Sequence, residues 1–240
     1  MNYLSRFSSL GLLAVTLAGC AGSLPPQQAN QKKDNLSQQV IDEMLCPVVK
    51  VDVERNSSHS RGSGFGVYDD EGKKSYVFTA AHVIGDGVVR VNGYTATSIR
   101  KNKFYDLELL EIQGGTLSCH FKGKLAKQVK IGDHIAVVGY PAMQEKALYL
   151  GYVASEDVGS GAYSDVYEIF RAPQHIVADV PLASGSSGSP VYVFKEGKPY
   201  LGGIIQGLYL NKLGSSGFVP VEVLRGFVKG TPLADELLEE

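Results

Sequence analysis

Beyond Cys46 the chain is a succession of short runs rich in Val, Ile, Tyr and Phe, each cut off within a few residues by glycine, Asn-Gly or an acidic turn. "PVVKVDVE", "GSGFGVY", "SYVFTA", "VVRVNG", "YDLELLEI", "KQVKIGDHIAVVGY", "ALYLGYVA", "SPVYVF", "YLGGIIQGL" and "GFVPV" follow one another with almost no helical period between them. β-Branched and aromatic residues suit a pleated surface, and glycine punctuation at this spacing reverses the chain before a helix can propagate. Strands that follow one another without intervening helices argue for a barrel or a sandwich rather than alternating βαβ units. The expected fold class is mostly β.

Helical period survives only at the two ends of this region. "NLSQQVIDEML" spaces Leu36, Val40, Ile41, Met44 and Leu45 as one face of a short helix, with Asn35 or Ser37 as a possible cap. "VEVLRGFVKGTPLADELLEE" reads as a closing helix followed by a charged tail over 231–240, which places the domain at 36–230. No internal repeat is evident. At 240 residues and 44% hydrophobic the chain can bury a real core, and a net charge of -2 without a long basic run leaves no phosphate-neutralising surface, so nucleic acid is excluded as a partner.

The first residues, "MNYLSRFSSLGLLAVTLAGC", carry Arg6 and then an apolar stretch from Leu10 to Ala18. That stretch is roughly nine residues, far below the ~20 that cross a bilayer as a helix, and it reads as a secretory signal over 1–19. Leu17-Ala18-Gly19-Cys20 resembles the lipobox of bacterial lipoproteins, in which the cysteine becomes the lipidated first residue of the mature chain. From 20 to 35 the composition turns polar, with Pro25-Pro26 and Lys32-Lys33, as suits a flexible tether. The expectation is a protein in the bacterial cell envelope, held to the membrane through Cys20. Ala21 rather than aspartate after the cysteine resembles the pattern that directs such proteins to the periplasmic face of the outer membrane in Gram-negative bacteria. Setting Cys20 aside leaves Cys46 and Cys119, either bridged in an oxidising compartment or two separate buried thiols.

Chemistry concentrates in three places. "LASGSSGSPV" hems a small hydroxyl, Ser187, between Gly185 and Gly188, and glycine permits both unusual dihedrals and close approach of neighbouring N–H groups to a reacting oxygen. "SYVFTAAHV" runs an apolar strand into Ala80-Ala81-His82, framing one imidazole behind two small residues. "FYDLELLEI" brings Asp106 into an apolar strand, where its carboxylate costs several kcal/mol unless it is hydrogen-bonded, and an imidazole N–H would satisfy it.

The order His82, Asp106, Ser187 is that of the chymotrypsin barrel and differs from the subtilisin and α/β-hydrolase orders. With "GSGFGV", "TAAHV", "DLELL", "GYP", "GSSGSP" and "GGIIQG" in sequence, the stretch from Cys46 to Val228 resembles the trypsin-like serine peptidases, especially bacterial forms such as the HtrA and glutamyl-endopeptidase groups. The resemblance implies two six-stranded antiparallel β-barrels, a protein or peptide substrate, and an acyl-enzyme formed on Ser187. It implies His82 as general base and acid, Asp106 as the group that fixes its tautomer, and an oxyanion hole from the N–H groups of Gly185 and Ser187. No cofactor follows from it, and no HExxH or paired CxxC points to a metal.

The departures carry information too. Ser186 stands where digestive relatives place an aspartate that pairs with a freed N-terminus. Glu108, on the strand face of Asp106, is expected either to raise one carboxyl pKa or to turn to solvent. By motif distance Pro181 falls where trypsin binds basic side chains and Ile205 where glutamyl endopeptidases bind Glu, so an uncharged substrate residue is expected. Gln206, Gly207 and Leu208 are expected to line one wall of that pocket, with Gly217 near another. HtrA peptidases generally add a PDZ domain, for which the chain leaves no room. Two other readings stand beside the peptidase: a catalytically silent barrel used for binding or scaffolding, and an esterase, which the mismatch to G-x-S-x-G disfavours.

Overall fold

The computed structural model describes residues 36–56, 58–143, 145–157, 162–165, 168–171, 175–209 and 214–238. The signal segment, Cys20 and the tether lie outside them. A short helix, α1 (Gln38–Leu45), opens the described region, its first turn capped by the Ser37 hydroxyl, which accepts from Val40 N–H at 3.3 Å. The first barrel then runs through β1 (Val48–Arg55), β2 (Ser58–Asp69), β3 (Lys74–Ala80), the one-turn helix α2 (Ala81–Ile84), β4 (Val88–Val91), β5 (Tyr94–Asn102) and β6 (Leu107–Ile112). Its order is β1-β2-β3-β6-β5-β4, closed by antiparallel pairing of β4 with β1. Asn92 and Gly93, both at positive φ, form the β4–β5 turn, the conformation for which Asn-Gly is the preferred pair.

The second barrel is built from β7 (His134–Gly139), β8 (Ala147–Asp157), the β9–β10 hairpin (Ala162–Asp165 and Glu168–Arg171), β11 (His175–Asp179), β12 (Pro190–Lys195), β13 (Lys198–Tyr209) and β14 (Ser216–Pro220). β13-β12-β7-β8-β11-β14 closes through β14 and β13, and the β9–β10 hairpin hangs on the end of β13. Two closed six-stranded antiparallel barrels are thus observed, as the resemblance implied, with the hairpin added to the second.

The unbroken apolar runs are explained by burial on both faces. In β3, Val77 points into the first barrel with Val51, Val53 and Leu110, whereas Tyr76 and Phe78 point out into a core shared with Ile135, Tyr192 and Phe218 of the second. Phe65 stacks on Phe78 at 5.1 Å and meets Phe121 edge-on at 6.2 Å, and Phe121 lies 5.8 Å from Tyr192, so one aromatic chain crosses the seam. Each such ring contributes about 1.5–3 kcal/mol through burial. Cys46 and Cys119 are bridged, tying the end of α1 to the segment between the barrels, which settles the alternative that the sequence left open.

One boundary differs from the sequence expectation. After α3 (Val221–Val228) the segment 231–238 is not a solvated tail: it forms α4 (Ala234–Leu237), with Leu233 and Leu237 buried and the Leu237 carbonyl accepting from Leu125 N–H at 3.0 Å. The charges of "LADELLEE" hide Leu233 and Leu237, which lie at helical spacing and belong to the core.

Candidate active site

Asp106 organises the first-barrel half of the site. The Asn102 side chain accepts from the N–H groups of Phe104 and Tyr105, turning the chain out of β5, and Asp106 follows at φ +54, a left-handed conformation that aspartate tolerates. It therefore precedes β6 rather than lying within it. α2 has no side-chain cap of its own. Asp106 supplies one from outside: its carbonyl accepts from Ala81 N–H at 3.1 Å and Oδ1 from His82 N–H at 2.8 Å. Oδ2 lies 2.6 Å from Nδ1 of His82. The carboxylate, 7% exposed, is thereby satisfied, and the imidazole is held as the Nδ1–H tautomer with Nε2 as its basic nitrogen.

The second-barrel half is the turn Ser184–Ser189. Ser186 N–H donates to Ala183 O, Ser189 N–H to Ser186 O, and Gly188 N–H to Ile205 O. Gly185 and Gly188 sit at φ +94 and +87. At Gly188 a Cβ would drive into the Ser63 carbonyl, so only glycine fits. The N–H groups of Gly185 and Ser187 donate to no acceptor among the described residues. Two such N–H groups, from the residues on either side of Ser186, are the kind of donor an oxyanion needs.

Gln206 joins the halves. Its carbonyl accepts from Ser187 Oγ at 3.1 Å, while its side-chain Nε2 donates to the carbonyl of Tyr105, the residue before Asp106, at 3.2 Å. Gln206 thus ties the serine turn to the segment that carries Asp106 across the seam between the barrels, with Ser187 8% exposed. The Gln206 side chain is buried, with its amide nitrogen engaged by the Tyr105 carbonyl. Gly207 and Gly217 are register partners across β13 and β14, Leu208 is half-buried beside them, and Pro181 is exposed after β11. A cavity of about 190 Å³ opens beside Gly185, lined by Lys50, Asp52, Arg61, Gly62 and Tyr140.

Glu108 also departs from expectation. It is 1% exposed, and Lys101, its register partner on β5, places Nζ 2.9 Å from Oε2, so the neighbouring strand supplies the cation and the carboxylate stays inside. Among the described residues no group of three or more His, Cys, Asp or Glu side chains is placed to hold a metal ion. Sequence reasoning missed Ser63 and Ala142, which hydrogen-bond carbonyls of the serine turn, and Tyr140, whose N–H donates to Ser63 Oγ; a lone hydroxyl inside "GSGFGV" carries no periodic signal of that role.

The profile of the trypsin-like peptidase domain matches residues 62–200, more than half the chain and the span that holds both halves of the site. No curated protein sequence matches. Among solved structures, the active form of the Rv3671c protease from M. tuberculosis superposes with a TM-score of 0.64 at 20% identity, covering 100% of this chain and 96% of that one. Its inactive form gives 0.61 at 19% identity over 80% and 92%. The serine endoprotease from Yersinia pestis gives 0.61 at 19% identity over 78% of this chain and 63% of the other. At these identities the likeness is one of fold, while the profile carries the family: the chain belongs to the trypsin-like peptidase domain family, as a serine endopeptidase.

Proposed function

We propose that the chain is an extracytoplasmic, lipid-anchored serine endopeptidase that hydrolyses peptide bonds through an acyl-enzyme on Ser187. The carrying observation is Asp106, whose carboxylate accepts from the backbone N–H of His82 and lies 2.6 Å from its Nδ1, in a chain whose Gly185 and Ser187 N–H groups donate to no acceptor among the described residues. In this reading Ser187 Oγ moves its proton from the Gln206 carbonyl to His82 Nε2 and attacks the scissile carbonyl carbon. The carbonyl π electrons pass to its oxygen, which takes the Gly185 and Ser187 N–H groups; each such donor is worth roughly 3 kcal/mol. His82 returns the proton to the leaving amine, and a water deprotonated by His82 releases the acid.

A second reading, a silent barrel used for binding, draws on one observation: the Ser187 hydroxyl is engaged by Gln206 in a site that is nearly closed. Incubation of the purified protein with a diverse peptide library separates the two. Internal cleavage that disappears in Ser187→Ala supports the peptidase, and an intact library with folded protein supports the binder.

The anchor rests on Leu17-Ala18-Gly19-Cys20 in the sequence. No helix among the described residues is long and apolar enough to cross a membrane. Palmitate incorporation in a bacterial host is expected in the wild type and lost in Cys20→Ser; a variant that still takes up label refutes the anchor.

A further inference from the structure

We infer that Ser63 is a positioning residue for the oxyanion-binding turn, an inference that rests on the peptidase reading above. A trans peptide points its C=O and N–H in opposite directions, so whatever holds a carbonyl aims the N–H on the other side of the same plane. In the turn, the Ser184 carbonyl accepts from Ala142 N–H at 2.6 Å, which turns the Gly185 N–H away from Ala142. The next carbonyl, of Gly185, accepts from Ser63 Oγ at 2.8 Å. The carbonyl of Ser187 accepts from the backbone N–H of Ser63 at 2.8 Å. The Ser187 N–H shares its plane with the Ser186 carbonyl, which accepts from Ser189 N–H at 3.0 Å, and Ser63 holds the Gly185 and Ser187 carbonyls, the peptide planes on either side of that one.

The tether has direction and no substitute. Ser63 Oγ accepts from Tyr140 N–H at 2.9 Å, which commits its proton to Gly185. Ser63 is fully buried, so water does not replace the hydroxyl. Its own carbonyl is fixed by Thr79 Oγ1 at 2.8 Å. Within the turn, the buried Ser186 hydroxyl has no hydrogen-bond partner among the described residues, and Gly185, at φ +94 without a Cβ, is free to rotate once its carbonyl is released. The anchor comes from across the seam.

The test uses a fluorophosphonate probe on the full protein and reads the maximal labelling rate of Ser187 separately from the half-saturating probe concentration. Ser63→Ala is expected to lower the maximal rate roughly 10- to 100-fold, with half-saturation changed less than about threefold, because the lost interaction acts on the developing oxyanion. Ser63→Cys, a weaker donor of similar size, is expected to fall between, and it decides the matter if Ser63→Ala does not fold. Ser75→Ala, which removes a buried hydroxyl that accepts from Leu117 N–H at 3.0 Å and has no bond to the serine turn, is expected to lower the melting temperature with the labelling rate within about twofold of wild type. Folded Ser63 variants that label at the wild-type rate overturn the inference alone, as does an equal loss of rate in Ser75→Ala. A folded wild type that does not label overturns the peptidase reading and this inference with it.

Discussion

Asp106 shows how much one buried residue can carry. Its carbonyl and both carboxylate oxygens each accept an N–H from α2 or from His82, so helix capping and imidazole orientation depend on the same side chain. Asp106→Asn keeps the shape but exchanges one acceptor for a donor. With Nδ1 forced to accept, Nε2 carries the proton and cannot take one from Ser187; kcat is expected to drop roughly 10⁴-fold at near-constant KM. An Asn variant within tenfold of wild type, in a peptide-cleavage assay, contradicts the assigned role. Gly188→Ala tests the turn at the same scale. Its φ of +87 and the Ser63 carbonyl in the path of a Cβ lead us to expect a loss of about 3 kcal/mol or more in urea denaturation. At this scale the reacting types were legible in the sequence, because a serine between glycines, a histidine behind two alanines and an aspartate among leucines are chemically conspicuous. Ser63 was not, because its importance lies in which carbonyl folding places 2.8 Å away.

The strands that coincide with the apolar runs were legible through the turn residues that cut them, whereas β5, β9, β10 and β11 fall in none of those runs; a run apolar on both faces, such as β3, reflects a barrel interior on one side and the shared core on the other. The error at Glu108 came from judging one strand without its neighbour: Lys101 on β5 supplies the charge that makes burial bearable. Lys101→Met is expected to destabilise by about 2–4 kcal/mol, since it strands a buried carboxylate, and Lys101→Met/Glu108→Leu is expected to recover most of that loss in chemical denaturation. A double variant no more stable than the single one contradicts the pairing. The segment between the barrels adds a pH response. Burial, and then the charge of Lys122, hold the His120 imidazole below its ordinary value of 6.5, against the opposing pull of Asp70. The folded form thus refuses a proton that the unfolded chain accepts; the stabilisation is complete above about 6.5 and is lost as the pH falls below it. Melting temperatures taken between about pH 7.5 and 5.5 are expected to fall less in His120→Gln than in wild type, and equal slopes contradict the assignment.

At the scale of the whole molecule, two barrels meet along an aromatic core, the site lies on their seam, and a disulfide with a sequence separation of 73 residues staples the entry helix to the inter-barrel segment. A loop of that length predicts roughly 4 kcal/mol of stabilisation through restriction of the unfolded chain. Cys46→Ser/Cys119→Ser is therefore expected to unfold at lower urea while retaining labelling at Ser187 under native conditions; unchanged stability contradicts a structural bridge. The C-terminal boundary was misjudged because four acidic residues in 231–240 read as solvated, although Leu233 and Leu237 are buried there. The account as a whole depends on three side chains from two barrels working as one nucleophile. Mass spectrometry of the purified protein after fluorophosphonate treatment tests this most directly: a single adduct on Ser187, lost in His82→Ala as well as in Ser187→Ala, is predicted, and a folded wild type without adduct, or labelling indifferent to His82, contradicts it.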